Sequence, residues 1–407
     1  MDLESRLDAV RWPSATLPCV GAGSASRHAL AALEAGARDV VARLLGAARD
    51  LRTALRAPEA PLAILERRIV SLQLQADALF KTIDLYTDAI ATRADARVAM
   101  LLAGTDVLIA DALKRPVPGY AAPIAVSYLD SGSRGGAINR ARTRLPGGIV
   151  LPIALVRVSP ESLPARLSSS LHEVGHQLSA DLNLLEEARD VIEAAALRAL
   201  GQRPSARLWG TWALELMADC WNIGLSGGAP GVDGLQRLLS LPQAWLFHII
   251  RNDPHPPGHI RNRFALALAQ CWHPHPVLRV LAARTRVAPP ASTGVGERSV
   301  PYLDGATTDV ARALATHRFA GLHRRSLADA CEVEALAPRF ALDLLRNADR
   351  VSLAAQRPLL GLAALSFGRL TGAIEVRRFH RDVADWLTGL AERHYAGPSS
   401  LEVIDHV

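Results

Sequence analysis

Lysine is almost missing from this chain of 407 residues: Lys81 and Lys114 are the only two, so nearly all of its 46 basic residues are arginine. Aromatic residues are scarce too, at 5%, and no basic run is interleaved with them. This argues against a nucleic-acid groove, where basic side chains track phosphates and aromatic rings stack on bases. The net charge of +6 and the pI near 9.5 read instead as arginine spread over solvated helix faces, as expected of a GC-rich bacterial genome.

Cysteine is equally sparse. Cys19, Cys220, Cys271 and Cys331 stand far apart with no C-x-x-C pair, which excludes a dense disulfide framework and a thiolate metal site. A reducing compartment is expected. No apolar run reaches the 18 or so uninterrupted residues of a membrane span, because Arg, Asp or Glu breaks every candidate. The opening Met-Asp-Leu-Glu-Ser-Arg has neither the basic nor the apolar part of a secretory signal, so the cytoplasm is the expected location.

What is abundant is aliphatic: 49% of the chain is hydrophobic, enough to fill more than one core. Three regions are expected. Residues 1–115 carry apolar residues at three- and four-residue spacing from Ser26 to Arg115, broken at Ala57-Pro58-Glu59-Ala60-Pro61, which predicts a helical hairpin and a third helix. Their faces suit packing, oligomer formation or a partner protein. Residues 116–284 open at Pro116-Val117-Pro118-Gly119-Tyr120 and hold two β-branched stretches, Pro123 to Leu129 and Gly148 to Val158, predicted as strands of a small sheet. Ser159-Pro160-Glu161-Ser162 supplies helix-start chemistry for a helix running to Leu182. Residues 285–407 read as helices without an interpretable motif. The expected fold class is therefore α+β, mostly helical.

The predicted helix carries His172-Glu173-Val174-Gly175-His176. Residues four apart share one helical face, so His172 and His176 can offer two imidazole nitrogens to one tetrahedral zinc ion. Glu173 projects beside the first ligand, placed to take a proton from a water on the metal. Two imidazoles and a carboxylate on a mostly apolar helix would be costly if buried unpaired, and a cation removes that cost. A catalytic zinc needs a third protein ligand and an open position. In the Leu208 to Leu225 segment the only acidic residues are Glu215 and Asp219, four apart among Trp, Leu, Met and Ala. That spacing suits Glu215 as the third ligand and Asp219 as the group that holds a ligand imidazole. Asp181, Glu186, Glu187 and Glu193 also follow the histidines. Ser179 and Leu182 rule out the longer HExxHxxGxxH pattern. His248, His273 and His275 read as surface or loop residues.

HEVGH followed by Glu215-Leu216-Met217-Ala218-Asp219 resembles the gluzincin metallopeptidases, most of all the group of the CAAX prenyl protease and the HtpX-type heat-shock protease. His255-Pro256 with Arg261 six residues after the histidine is similar to that group's late motif. The resemblance spans roughly residues 95 to 275. It implies a zincin-like catalytic domain with a Zn2+ cofactor, and an endopeptidase acting on protein or peptide through Glu173. It also makes His255 and Arg261 candidates for contacting substrate or the developing oxyanion. His259 competes with His255 for the cleft position. Members of the group commonly carry membrane spans or secretion signals, and this chain departs from them there. A strand in the Gly148 to Val158 segment is expected to offer its edge to an extended substrate. The rival expectations are a regulatory or interaction protein whose zinc site is structural, and a basic helical nucleic-acid binder.

Overall fold

Two long helices and a short sheet explain most of the layout. The computed structural model describes residues 3–8, 10, 12, 25–57, 61–114, 117–130, 137–139, 143–160, 163, 167–236, 246–250, 253–284, 299–347 and 350–395. After the short α1 (Leu3–Asp8) come α2 (Ala25–Leu55), α3 (Leu62–Ala91) and α4 (Ala96–Leu113), the helical hairpin and third helix expected from the spacing. Asp95 starts α4 by accepting the Val98 N–H at 2.9 Å, which satisfies one of the orphan donors of the first turn.

The sheet has the order β1 (Ile124–Leu129), β3 (Ile153–Val158), β2 (Ala137–Asn139), with β1 parallel and β2 antiparallel to β3. Two strands are expected from the sequence; the third lies in the Gly- and Arg-rich stretch between them, where three residues are too few to give a period. β3 is the middle strand. The edge expected from the Gly148 to Val158 segment is therefore paired on one side by β1 along its whole length and on the other by β2 at residues 155–157.

Alternation along the strands sorts their side chains onto two faces. Val126, Ile153 and Leu155 join the hairpin α2–α3 in one core, reinforced by Tyr86, whose hydroxyl donates to the Ile153 carbonyl at 3.3 Å. Ala125 and Val156 face the other way, into a second core. That second core takes in α4, then α5 (Ser168–Asp181), α6 (Leu185–Leu200), α7 (Arg203–Thr211), α8 (Ala213–Leu225), α9 (Ala229–Gln236) and α10 (Gly258–Trp272). It also takes in C-terminal helices, among them α11 (Thr307–Thr316), α12 (Pro338–Asn347), α13 (Pro358–Leu370) and α14 (Val376–Tyr395). One core thus runs through residues on both sides of 115/116 and 284/285. α14 packs on α4 so closely that a Cβ at Gly104 would run into the Leu387 backbone. The protein is mostly helical with a small sheet, and no helix among the described residues is long and apolar enough to cross a membrane.

The helix of the paired histidines begins at Ser168, later than Ser159-Pro160-Glu161-Ser162 suggests. Leu163 sits in a turn, in keeping with the steric bias against helix in a residue that precedes proline, here Pro164. Residues 161–162 and 164–166 lie outside the described residues.

Candidate metal centre

α5 and α8 cross at small residues. A Cβ on Gly175 would stand 2.8 Å from both the Cα and the carbonyl oxygen of Ala218 and 2.9 Å from the Trp221 Cβ, so only glycine permits this approach. Trp221 Nε1 donates to Ser179 Oγ at 3.1 Å one turn further on and fixes the rotation of the two helices. The Leu208 to Leu225 segment is not one helix: α7 ends at Thr211, Trp212 leaves the helical path, and α8 starts at Ala213. The break puts Glu215 in the first turn of α8, where the helix N-terminus favours a carboxylate.

His172, His176 and Glu215 converge as a consequence. One ligand atom from each lies within 4.8 Å of the others, and this group can hold a metal ion. His172 Nε2 is 3.3 Å and His176 Nε2 3.4 Å from the two Glu215 oxygens. His172 turns its other nitrogen, Nδ1, to Asp219 Oδ1 at 2.9 Å, which leaves Nε2 for the cluster. The donor set of two imidazole nitrogens and a carboxylate, in a mostly buried site, fits a divalent transition metal.

The charges are arranged to favour a cation. Burial opposes ionisation of Glu215, yet His172 and Arg261 beside it pull its carboxyl down to about 2. Burial likewise opposes ionisation of Asp219, and Arg261 and His172 hold it well below the usual carboxylate range. The two imidazoles diverge. Burial and Arg261 work against a proton on His172, but Asp219 and Glu215 overcome them and raise it to about 9. Burial and the neighbouring His172 push His176 down to about 4. The pair accordingly takes up one proton before a second, on the side of the carboxylates, and a metal competes with that proton. Glu173 is 7% exposed; burial raises its pKa, against the pull of His172.

Arg261, a candidate for contacting substrate or the developing oxyanion, clamps Asp219 in this structure. Its Nε and Nη2 reach Asp219 Oδ2 and Oδ1 at 2.7 and 2.9 Å, and Nη2 lies 3.3 Å from Glu215 Oε2. The same nitrogen lies 3.2 and 3.1 Å from the two ring nitrogens of His172, so it leans on the ring without singling out either one. Of the two late histidines, His255 is the one beside the cluster. Its side chain is 56% exposed, with Nε2 3.5 Å from Glu215 Oε1 and Nδ1 2.5 Å from Asp253 Oδ1. His259 is buried elsewhere, stacked on Phe247 and 3.6 Å from Asp304. Asp253 is a positioning residue that sequence reasoning missed, although it stands only two residues before His255 in Asp253-Pro254-His255.

The competing ligands are engaged away from the cluster. Asp181 accepts from Tyr120 and Gln177, Glu187 pairs with His317 and caps the Ala320 N–H, and Glu186 is exposed. Glu193 packs against Gly210. His248 is exposed and His275 half-buried; His273 lies in the bend after α10, a loop position as expected, but is 2% exposed there.

No protein-family model, no curated protein and no solved structure matches the chain.

Proposed function

We propose that the chain is a zinc-dependent endopeptidase of gluzincin type, with His172, His176 and Glu215 as metal ligands and Glu173 as general base. The observation that carries this reading is the convergence of those three ligand atoms beside a buried carboxylate whose pKa is raised. Zinc bound there would supply a Lewis acid that acidifies water and polarises a carbonyl. Glu173 accepts the proton released at the attacking water and returns it to the leaving amine; its raised pKa suits both halves of that task. Asp219 keeps His172 turned through Nδ1, and Arg261 keeps Asp219 in place. His255, held by Asp253, presents Nε2 at the exposed side of the cluster, where it would be placed to donate to a developing oxyanion. An extended peptide would pair with β2, the outer strand on the α5 side, since β3 is the middle strand.

The test pairs metal analysis with proteolysis on purified wild type, Glu173→Ala and His172→Ala. Wild type is expected to carry zinc near one per chain and to cleave a substrate; Glu173→Ala keeps the metal and loses cleavage, and His172→Ala loses both. Wild type free of zinc after growth in metal-replete medium, or normal cleavage by Glu173→Ala, refutes the mechanism. Zinc binding with no cleavage of any host protein favours a regulatory protein with a structural site, which His255 would close as fourth ligand.

A further inference from the structure

α3 is apolar on two sides. Leu65, Leu72, Ala76, Leu79, Ile83 and Tyr86 face inward and are buried. On the opposite side Val70, Leu74 and Leu85 are 54%, 65% and 42% exposed, a costly arrangement for a helix whose inner face already fills the core. They belong to one stripe. Arg67, Val70, Leu74, Ala78, Lys81, Leu85 and Asp88 recur at spacings of three and four, which places all seven along a single outer face.

We infer that this face is the interface of a homodimer in which α3 packs antiparallel against α3 of a second copy. The charge pattern chooses the partner and its direction. The stripe begins with Arg67 and ends with Asp88, and neither they nor Lys81 have an ion-pair partner among the described residues. Residues 67 and 88, 70 and 85, and 74 and 81 share one midpoint, between 77 and 78. An antiparallel copy centred there sets Arg67 against Asp88, Val70 against Leu85, and Leu74 against the aliphatic stem of Lys81. A parallel copy would set Arg67 on Arg67 and Asp88 on Asp88.

The centre suits close approach. Ala78 is small, and Asp77 beside it does not bring an unpaired carboxylate to the two-fold axis, because Arg6 holds it at 2.7 Å. On the other flank Leu145 and Pro146 stand across from Leu74, leaving a recess of about 480 Å³ that can receive side chains of the second copy. The α2–α3 hairpin lies on the face of the sheet opposite α5, so pairing through α3 leaves both metal centres open.

The test is sedimentation equilibrium on the full chain, with circular dichroism and thermal melting to confirm that each variant folds. Wild type is expected to be a reversible dimer, and Leu74→Glu a folded monomer. Arg67→Asp and Asp88→Arg alone should each weaken dimerisation on the order of tenfold, since two ion pairs per dimer become like-charge contacts. The double variant Arg67→Asp/Asp88→Arg should restore it. A monomeric wild type overturns the proposal, as does a dimer unaffected by Leu74→Glu. Failure of the double reversal to recover either single loss overturns the antiparallel register.

Discussion

Gly175 meets Ala218 where α5 crosses α8, with room for a hydrogen and none for a methyl group. The candidate metal ligands sit on both sides of that contact: His172 and His176 on one helix, Glu215 on the other. Gly175→Ala is expected to force the helices apart and to lower both metal affinity and melting temperature. In an open helix the same change gains about 1 kcal/mol, because alanine has less conformational freedom to lose. Gly46, inside α2 with nothing within 4 Å of its would-be Cβ, is the control, and Gly46→Ala should stabilise. A metal titration and a melt of the two variants side by side check the opposite signs.

Asp219 reaches the candidate centre through His172, and Arg261 bears on Asp219 and Glu215 alike. Asp219→Asn should weaken metal binding by roughly 10–100-fold, the usual effect of losing the group that orients a ligand imidazole, while leaving the fold intact. Competition against a metal-binding dye reads this directly; an unchanged affinity would show that Asp219 does not orient the ring. Arg261→Met has a different signature. It strands the fully buried Asp219 without its cation and should cost about 3–5 kcal/mol in denaturant unfolding.

The centre was legible in the sequence to the extent that it depends on residue spacing. His172, His176, Glu215 and Asp219 are local pairs four apart on helices, so their shared faces follow from helical geometry alone. Their convergence does not, since it depends on a crossing set by Gly175 and Ala218, and on the irregular Trp212 that brings Glu215 to a helix start. The choice between His255 and His259 was open for the same reason: the two stand four residues apart, and it is packing against Phe247 and Asp304 that holds His259 away from the cluster. The clamp of Arg261 on Asp219 was not foreseen, because it depends on packing that sets the arginine beside a fully buried aspartate. Strand β2 was missed because three residues in a Gly-rich stretch carry no period.

His273 is expected to make the fold sensitive to acid. Neither of its ring nitrogens has a hydrogen-bond partner, and burial lowers its pKa from 6.5 to about 4. The unfolded chain therefore binds this proton first as the pH drops. Stability contributed by the neutral ring is full above about pH 6.5 and is lost progressively down to about pH 4, amounting to about 3 kcal/mol over that window. Urea midpoints at pH 7 and pH 4.5 should fall less for His273→Phe than for wild type; an equal fall in both assigns the acid sensitivity to other groups.

Arg93 and Asp106 form a second buried ion pair, far from the histidines, at 2.7 Å. Arg93 also donates to the Ser127 carbonyl at 2.6 Å, and Asp106 accepts the Ser127 N–H at 2.7 Å, so the pair ties the end of the hairpin to β1 and α4. Arg93→Met should cost about 3–5 kcal/mol by leaving Asp106 uncompensated. Adding Asp106→Asn keeps an acceptor for Ser127 while removing the charge, and should recover much of the loss. Chemical denaturation of the single and double variants measures the difference.

The thin sheet has a practical consequence for anyone who would isolate the half that carries the paired histidines. Its strands are a shared wall: Val126, Ile153 and Leu155 pack in one core with the hairpin, while Ala125 and Val156 pack with the helices of the other side. A fragment cut after the hairpin would uncover a row of branched aliphatic side chains on strands already short of pairing partners, an invitation to self-association through the bare face. The hairpin is therefore not a detachable appendage, and the smallest piece worth purifying begins upstream of α2.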